Sequence, residues 1–178
     1  MSEKNQIDAY APAEMAILVE SAGVRKAGLG TVATLTLAVL AGAFIAFGGM
    51  FFTLVVSDGE LSVSVARILG GLCFSLGLIL VVVGGAELFT GNNLIVMAWV
   101  DGKVSLARLL RNWGLVYIGN FIGALATVVI AYLAGVQDLA DGAYGEAAQK
   151  IAEAKIALPF AEAFFRGLLC NVLVCLAV

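Results

Sequence analysis

Residues 84–93 read Gly84-Gly85-Ala86-Glu87-Leu88-Phe89-Thr90-Gly91-Asn92-Asn93, and they interrupt an apolar stretch of 34 residues that extends from Arg67 to Val100. About 20 apolar residues suffice to cross a membrane. A membrane helix can break only where its freed backbone groups are buried in protein or face a water-filled cavity. The stretch therefore predicts one helix, 67–100, broken at 86–93. Its second half is expected to start near Leu94, with Thr90, Asn92 and Asn93 as caps.

Three further segments have the length and composition of membrane helices. They cover residues 31–56, 113–135 and 159–178, which makes four crossings with the second one broken. Small residues recur at Ala38, Gly42 and Ala46, and a Gly-x-x-x-Gly pair stands at Gly119 and Gly123; such stripes let helices pack closely. The pattern predicts an all-α membrane protein whose membrane domain covers residues 31–178.

The composition excludes several classes of protein. Apolar residues make up 62% of the chain and charged residues 13%, whereas soluble domains have about 45–50% and about 25%. The net charge of −3 is too small and scattered to indicate nucleic acid as a partner. The sequence has no His, no Cys-x-x-Cys pair and no clustered acids, so we expect no metal, no cofactor and no enzymatic activity. The cysteines are expected to be buried thiols.

Residues 1–30 are predicted to form a cytoplasmic lead-in. Residues 12–27 read as a short helix that starts at Pro12, is too charged to span a bilayer, and could lie along its surface. The bias of Lys and Arg places the N-terminus inside. The basic residues of the inner side are Lys4, Arg25, Lys26, Lys103, Arg108 and Arg111, against Lys150 and Lys155 on the outer side.

The broken helix and its neighbours carry a resemblance to a known family. Gly85 to Asn92 (Gly-Ala-Glu-Leu-Phe-Thr-Gly-Asn), together with the runs 70–78 and 119–123, resembles the formate/nitrite transporter family; Asn112-Trp113, 12–15 and 170–177 fit it too. The resemblance implies an aquaporin-like protomer of six helices with inverted repeats, assembled as a homopentamer in the bacterial inner membrane. Because the family's mid-pore His is missing, we expect this chain to represent the N-terminal part of that architecture.

The resemblance also implies roles for individual residues. An outer constriction would be formed by Phe74 and Leu78, which periodicity alone treats as ordinary apolar residues. The cytoplasmic constriction would be formed by Leu88, Phe89 and Thr90, and Val174 would be a further constriction residue on the last segment. Asn171 would line the pore, although an intramembrane Asn is often structural, and Lys155 would draw anions to the outer vestibule, although alone it reads as a solvated lysine.

The remaining residues of the break are expected to support it. A carboxylate at Glu87 would repel an anion, so we expect it to face away from the path and to accept hydrogen bonds from loop backbone, holding either the bend or a subunit contact. Gly91, Asn92 and Asn93 would hold the bend. The N-terminus of the second half-helix would add a partial positive charge.

Two classes of function remain open on the sequence. The first is a channel for formate, with nitrite or hydrosulfide as alternatives within the same family. The second is a membrane scaffold that does not transport, which would be the status of a fragment lacking a second repeat. A chain of these 178 residues alone is expected not to conduct, because one wall of the pore would be missing.

Overall fold

The computed structural model describes residues 10–177, so Lys4 and the rest of 1–9, and Val178, lie outside it. In this range the secondary structure is helical. The helices are α1 (Pro12–Ala27), α2 (Thr31–Val56), α3 (Val63–Val83), α4 (Phe89–Asn92), α5 (Ile95–Val100), α6 (Leu106–Leu133), α7 (Ala143–Ile156) and α8 (Phe160–Ala177). A 3-10 turn, Val136–Asp138, precedes α7. Four of them, α2, α3, α6 and α8, are long and apolar enough to cross a membrane.

The second crossing is interrupted, but the break differs from the prediction. Helix α3 ends at Val83, and the helical conformation resumes at Phe89 rather than at Leu94. The expected caps are wrong: Leu88 and Leu94 occupy the N-cap positions, and neither has a side-chain cap. The reason is a tertiary contact, because the Phe89 amide donates a hydrogen bond to the side-chain Oδ1 of Asn120 on α6, at 2.9 Å. A distant residue thus replaces the local cap.

Two other predicted boundaries were wrong, for a shared reason. Helix α3 begins at Val63 rather than 67, and α6 begins at Leu106 rather than 113. In each case a serine precedes the helix, and its hydroxyl accepts a hydrogen bond from a backbone amide of the first turn. Val65 donates to Ser62 and Arg108 donates to Ser105, both at 3.4 Å. These N-caps extend both helices beyond their apolar segments. At its other end α6 stops at Leu133 instead of 135.

Helix α2 lies between α3 and α6 and contacts both over its length. Glycines permit both crossings: a Cβ on Gly42 would overlap the Asn120 backbone of α6, and one on Gly48 would lie 2.7 Å from the Phe74 carbonyl oxygen of α3. Membrane helices associate through such close backbone approach, since lipid supplies no hydrophobic drive between them. Two glycines of α2 therefore serve two neighbours, Gly42 toward α6 and Gly48 toward α3.

The short helices lie at opposite ends of this three-helix core. Helix α1 packs on α5 through Gly23 and Ala27, which are buried, while its outer face remains exposed. At the far end of α2, α7 brings Tyr144 to Thr53. Helix α8 has no fully buried residue in the described chain and reaches the core at α4.

Candidate functional site

The break between α3 and α4 is held by one side chain of α6, Asn120. Its Nδ2 donates to the carbonyl oxygens of Ala38 (2.8 Å) and Glu87 (2.9 Å), and its Oδ1 accepts from the Phe89 amide (2.9 Å). The Glu87 amide in turn donates to the Leu37 carbonyl oxygen (3.2 Å). Three backbone groups of the break, the amide and carbonyl of Glu87 and the amide of Phe89, are therefore paired with α2 and α6.

We expect Asn120→Ala to loosen this break. It removes three hydrogen bonds, each with a net value of about 1 kcal/mol, and leaves backbone groups unpaired at membrane depth. Hydrogen exchange in detergent should show faster exchange of the amides at 86–90. Thr127→Ala is the control, because that hydroxyl bonds within α6, to the Gly123 carbonyl (2.9 Å). Equal exchange in both variants would contradict the role of Asn120.

Glu87 does not have the partners predicted for it. Its side chain is 3% exposed, and its carboxylate accepts from Lys26 Nζ (2.8 Å) and from Asn92 Nδ2 (2.6 Å) rather than from loop backbone. Lys26 Nζ also donates to Asn92 Oδ1 (3.1 Å), and Asn92 Nδ2 reaches Asn112 Oδ1 (2.9 Å). The result is a closed polar network, here called the Lys26 network, of Lys26, Glu87, Asn92 and Asn112. It links the lead-in helix to the break.

Sequence reasoning missed three members of this site. Lys26 was counted for topology, and Asn112 and Asn120 were assigned no role of their own. A signal existed for the asparagines: an uncharged amide in an otherwise apolar membrane helix is costly unless it is hydrogen-bonded. Their partners could not be read from the sequence, because they are distant in the chain. Asn112 bonds to Asn92, 20 positions away, and Asn120 bonds to Phe89 and Glu87, 31 and 33 positions away.

The predicted constriction residues of the break occupy one region with α8. The ring of Phe89 makes edge-to-face contacts with the rings of Trp113 and Tyr117, at centroid distances of 6.3 Å and 5.5 Å. Leu88 is half-buried and packs on a core of Ala41, Val81 and Ala86. Across from them, the Thr90 carbonyl oxygen accepts from Cys175 Sγ (3.4 Å), and Asn93 donates to Asn171 Oδ1 (2.7 Å). Val174 is half-buried on α8. Gly91 lines a small pocket beside Lys26.

A second group of predicted residues meets at the other end of the core. Phe74 and Lys155 both line a cavity of about 790 Å³ between α2, α3, α6 and α7, whereas half-buried Leu78 does not line it. Lys155 is the one charged residue among the described residues of its wall. Burial raises the pKa of Tyr144, also in the wall, although a hydrogen bond with Thr53 counteracts it. Tyr144 is thus neutral at physiological pH, and Lys155 sets the charge of this cavity.

The lead-in helix has a further anchor away from the break. Lys103 forms ion pairs with Glu20 of α1 (2.5 Å) and with Asp101 (2.8 Å). The hydrogen bond from Lys103 lowers the pKa of the Asp101 carboxyl, with a smaller contribution from Glu20. Asp101 and Lys103 are thus charged near neutrality, and the ion pair between Lys103 and Glu20 fastens α1 to the turn between α5 and α6.

Fold and site together define a multi-pass, all-α membrane protein with an interrupted second crossing. The family model described as formate/nitrite transporter matches residues 13–178. The chain belongs to the formate/nitrite transporter family, and the resemblance seen in the sequence is confirmed.

Individual relatives agree with this assignment. The formate channel FocA of Escherichia coli K12 is 42% identical over 100% of this chain and 63% of its own length. The formate channel FocA of Haemophilus influenzae is 34% identical over 99% of this chain and likewise 63% of its own. The chain thus spans less than two thirds of the length of these curated relatives.

Two solved structures share the fold. A pentameric formate channel with formate bound matches with a TM-score of 0.76 at 44% identity, over 83% of this chain and 58% of that one. An ion channel of the same family matches with a TM-score of 0.82 at 26% identity, over 93% of this chain and 66% of that one. The predicted all-α membrane channel fold is confirmed.

Proposed function

We propose that this protein is a channel for formate that works as a homopentamer in the bacterial inner membrane. The observation that carries the proposal is the break at 84–88, held open at membrane depth by Asn120 and the Lys26 network. Broken helices in membranes line substrate pathways. Support for formate comes from relatives named formate channels and from a similar pentameric structure with formate bound. Nitrite and hydrosulfide are the alternatives within the family.

The roles proposed for individual residues are those that the family resemblance implies. In this proposal Phe74 and Leu78 narrow the outer end of the path, Leu88, Phe89 and Thr90 narrow the inner end, and Val174 is a further constriction residue. Substrate contacts come from Asn171 and Lys155, and support for the break comes from Glu87, Gly91, Asn92 and Asn93. Residues 31–178 form the channel domain in contact with lipid, and residues 1–30 the cytoplasmic lead-in. The family assignment supports a transporter rather than an enzyme, and the proposal includes no cofactor, metal or nucleic-acid partner.

The physical requirement is compensation of a desolvated anion. Burying a charge without partners costs many kcal/mol, so the path needs donors and positive potential. Lys155 supplies a positive charge at the outer cavity, and Asn171 supplies N–H groups beside the break. The second half of the broken crossing consists of two short helices of four and six residues, α4 and α5. Its N-terminal partial positive charge is therefore weaker than that of the single long half-helix predicted from the sequence. Side chains therefore carry most of the compensation.

The test is uptake of labelled formate by liposomes that contain the purified pentamer of the whole protein, since residues 1–178 by themselves are expected not to conduct. Lys155→Ala should lower the initial rate several-fold at low ionic strength and less at high salt, because a positive cavity raises the local anion concentration and salt screens it. Lys150→Ala is the matched control on α7, since that lysine pairs with Glu146 (3.8 Å) and does not line the cavity.

The same liposomes separate the alternative functions. Saturable formate uptake with weaker competition from nitrite and hydrosulfide supports a formate channel. Stronger uptake of either competitor would transfer the assignment to that anion. No uptake of any of the three by a protein correctly folded and assembled would favour the scaffold. Equal effects of the two lysine variants would remove Lys155 from the path.

A further inference from the structure

A chain of four hydrogen-bonding groups joins α8 to the break. Asn93 Nδ2 donates to Asn171 Oδ1 (2.7 Å), Asn171 Nδ2 donates to Cys175 Sγ (3.5 Å), and Cys175 Sγ donates to the Thr90 carbonyl oxygen (3.4 Å). Both ends of the chain lie in the segment 90–93, and its middle lies on α8. We call these four residues the Asn171 relay.

The direction of the relay is fixed at one end. A backbone carbonyl can only accept a hydrogen bond, so the thiol of Cys175 must donate to Thr90. Its sulfur is then left as an acceptor, which requires the N–H side of the Asn171 amide to face it. The carbonyl side of Asn171 consequently faces Asn93, whose N–H donates to it. The Thr90 end of the relay thus fixes the orientation of the Asn171 amide, and the Asn93 amide takes the matching orientation.

This orientation matters for an anion. A carboxylate such as formate accepts hydrogen bonds and donates none, so an amide helps it only through N–H groups. An amide with its oxygen toward the anion would repel it. The Asn171 Nδ2 carries two hydrogens, and only one has a partner among the described residues, the Cys175 sulfur.

We infer that Asn93 and Cys175 are positioning residues, which hold the Asn171 amide so that its free N–H is available to a small anion at the break. The inference rests on the proposed function and adds to it a determinant of anion affinity. Cys175 was expected to be a buried thiol acting as a small hydrophobic group; the structure makes it half-buried and hydrogen-bonded on both sides.

The first experiment does not depend on transport. Infrared difference spectra between the wild type and Cys175→Ser isolate the S–H stretching band of Cys175. We expect this band at lower frequency than the band of Cys170, obtained in the same way, because Cys170 is exposed and has no hydrogen bond within residues 10–177. A Cys175 band at the position of the Cys170 band would overturn the relay.

The second experiment measures formate uptake as a function of concentration. Cys175→Ala and Asn93→Ala should each raise the half-saturating concentration about fivefold, which corresponds to about 1 kcal/mol for one lost hydrogen bond. Cys175→Ser, which keeps a donor and an acceptor, should stay close to the wild type, as should the control Cys170→Ala. A merely structural role would instead lower the maximal rate and the yield of assembled protein.

The outcomes distinguish the two proposals. A shifted S–H band together with raised half-saturation in the alanine variants supports the inference. Unchanged half-saturation in both variants overturns it, whatever the infrared result. If the wild type itself takes up no formate, the proposed function fails, and with it the role toward an anion, while the infrared band still decides whether the relay exists.

Discussion

Gly123→Ala is expected to abolish the packing of α2 on α6. A Cβ at this position would overlap the carbonyl oxygen of Val39 and would lie 2.8 Å from its carbon and 3.0 Å from the amide nitrogen of Ala43. These are backbone atoms, so no rotamer change relieves the overlap and the helices must separate. Overpacking of a core typically costs about 1–3 kcal/mol, and we expect at least the upper end here.

The sign of this effect makes it informative. In a helix interior Gly→Ala ordinarily stabilises by about 1 kcal/mol, and Gly114→Ala on the same helix provides that reference, because its Cβ would meet nothing within 4 Å. Size-exclusion chromatography and thermal unfolding in detergent measure both variants. Gly123→Ala should give little monodisperse protein and Gly114→Ala a normal yield. Normal stability of Gly123→Ala would mean that α2 and α6 are further apart than described.

The second large effect is expected from Lys26→Ala, which leaves the carboxylate of Glu87 buried without its cation. Breaking a fully buried pair costs about 3–5 kcal/mol. The Lys26 side chain is 32% exposed, so water can reach part of the site, and we expect about 2 kcal/mol after allowing for screening. Release of α1 from the break should accompany the loss, since Lys26 is the member of the network on that helix.

The double variant Lys26→Met with Glu87→Gln tests whether charge pairing is the cause. Removing both charges should recover most of the stability lost in Lys26→Ala, because no unpaired charge then remains buried. Arg25→Ala is the matched control, as this neighbouring cation is exposed and forms no ion pair in the described part of the chain. Thermal unfolding and protease cleavage within α1 provide the measurements. A double variant as unstable as Lys26→Ala would assign Lys26 a packing role instead.

Much of the fold could be predicted from local properties of the chain. An uncharged apolar run must be helical in a membrane, because every backbone group needs a partner and lipid supplies none. The same rule predicted an interruption at 86–93, which overlaps the observed break at 84–88, and the uncharged run 31–56 covers the same residues as α2. The small residues Gly42, Gly119 and Gly123 predicted close helix packing, and these glycines lie in the crossing of α2 and α6.

The details of the site depend on partners that are distant in the chain. The helix resumes at Phe89 and not at Leu94 because Asn120, 31 residues away, accepts the Phe89 amide. Glu87 bonds to Lys26, 61 positions away, and the Asn171 relay spans 78 to 85 positions. The composition and order of residues determine which segments cross the membrane, since this depends on each segment's own transfer to lipid. The hydrogen-bond partner of each polar group depends on how the helices pack. A polar side chain in an apolar helix specifies only that some partner must exist.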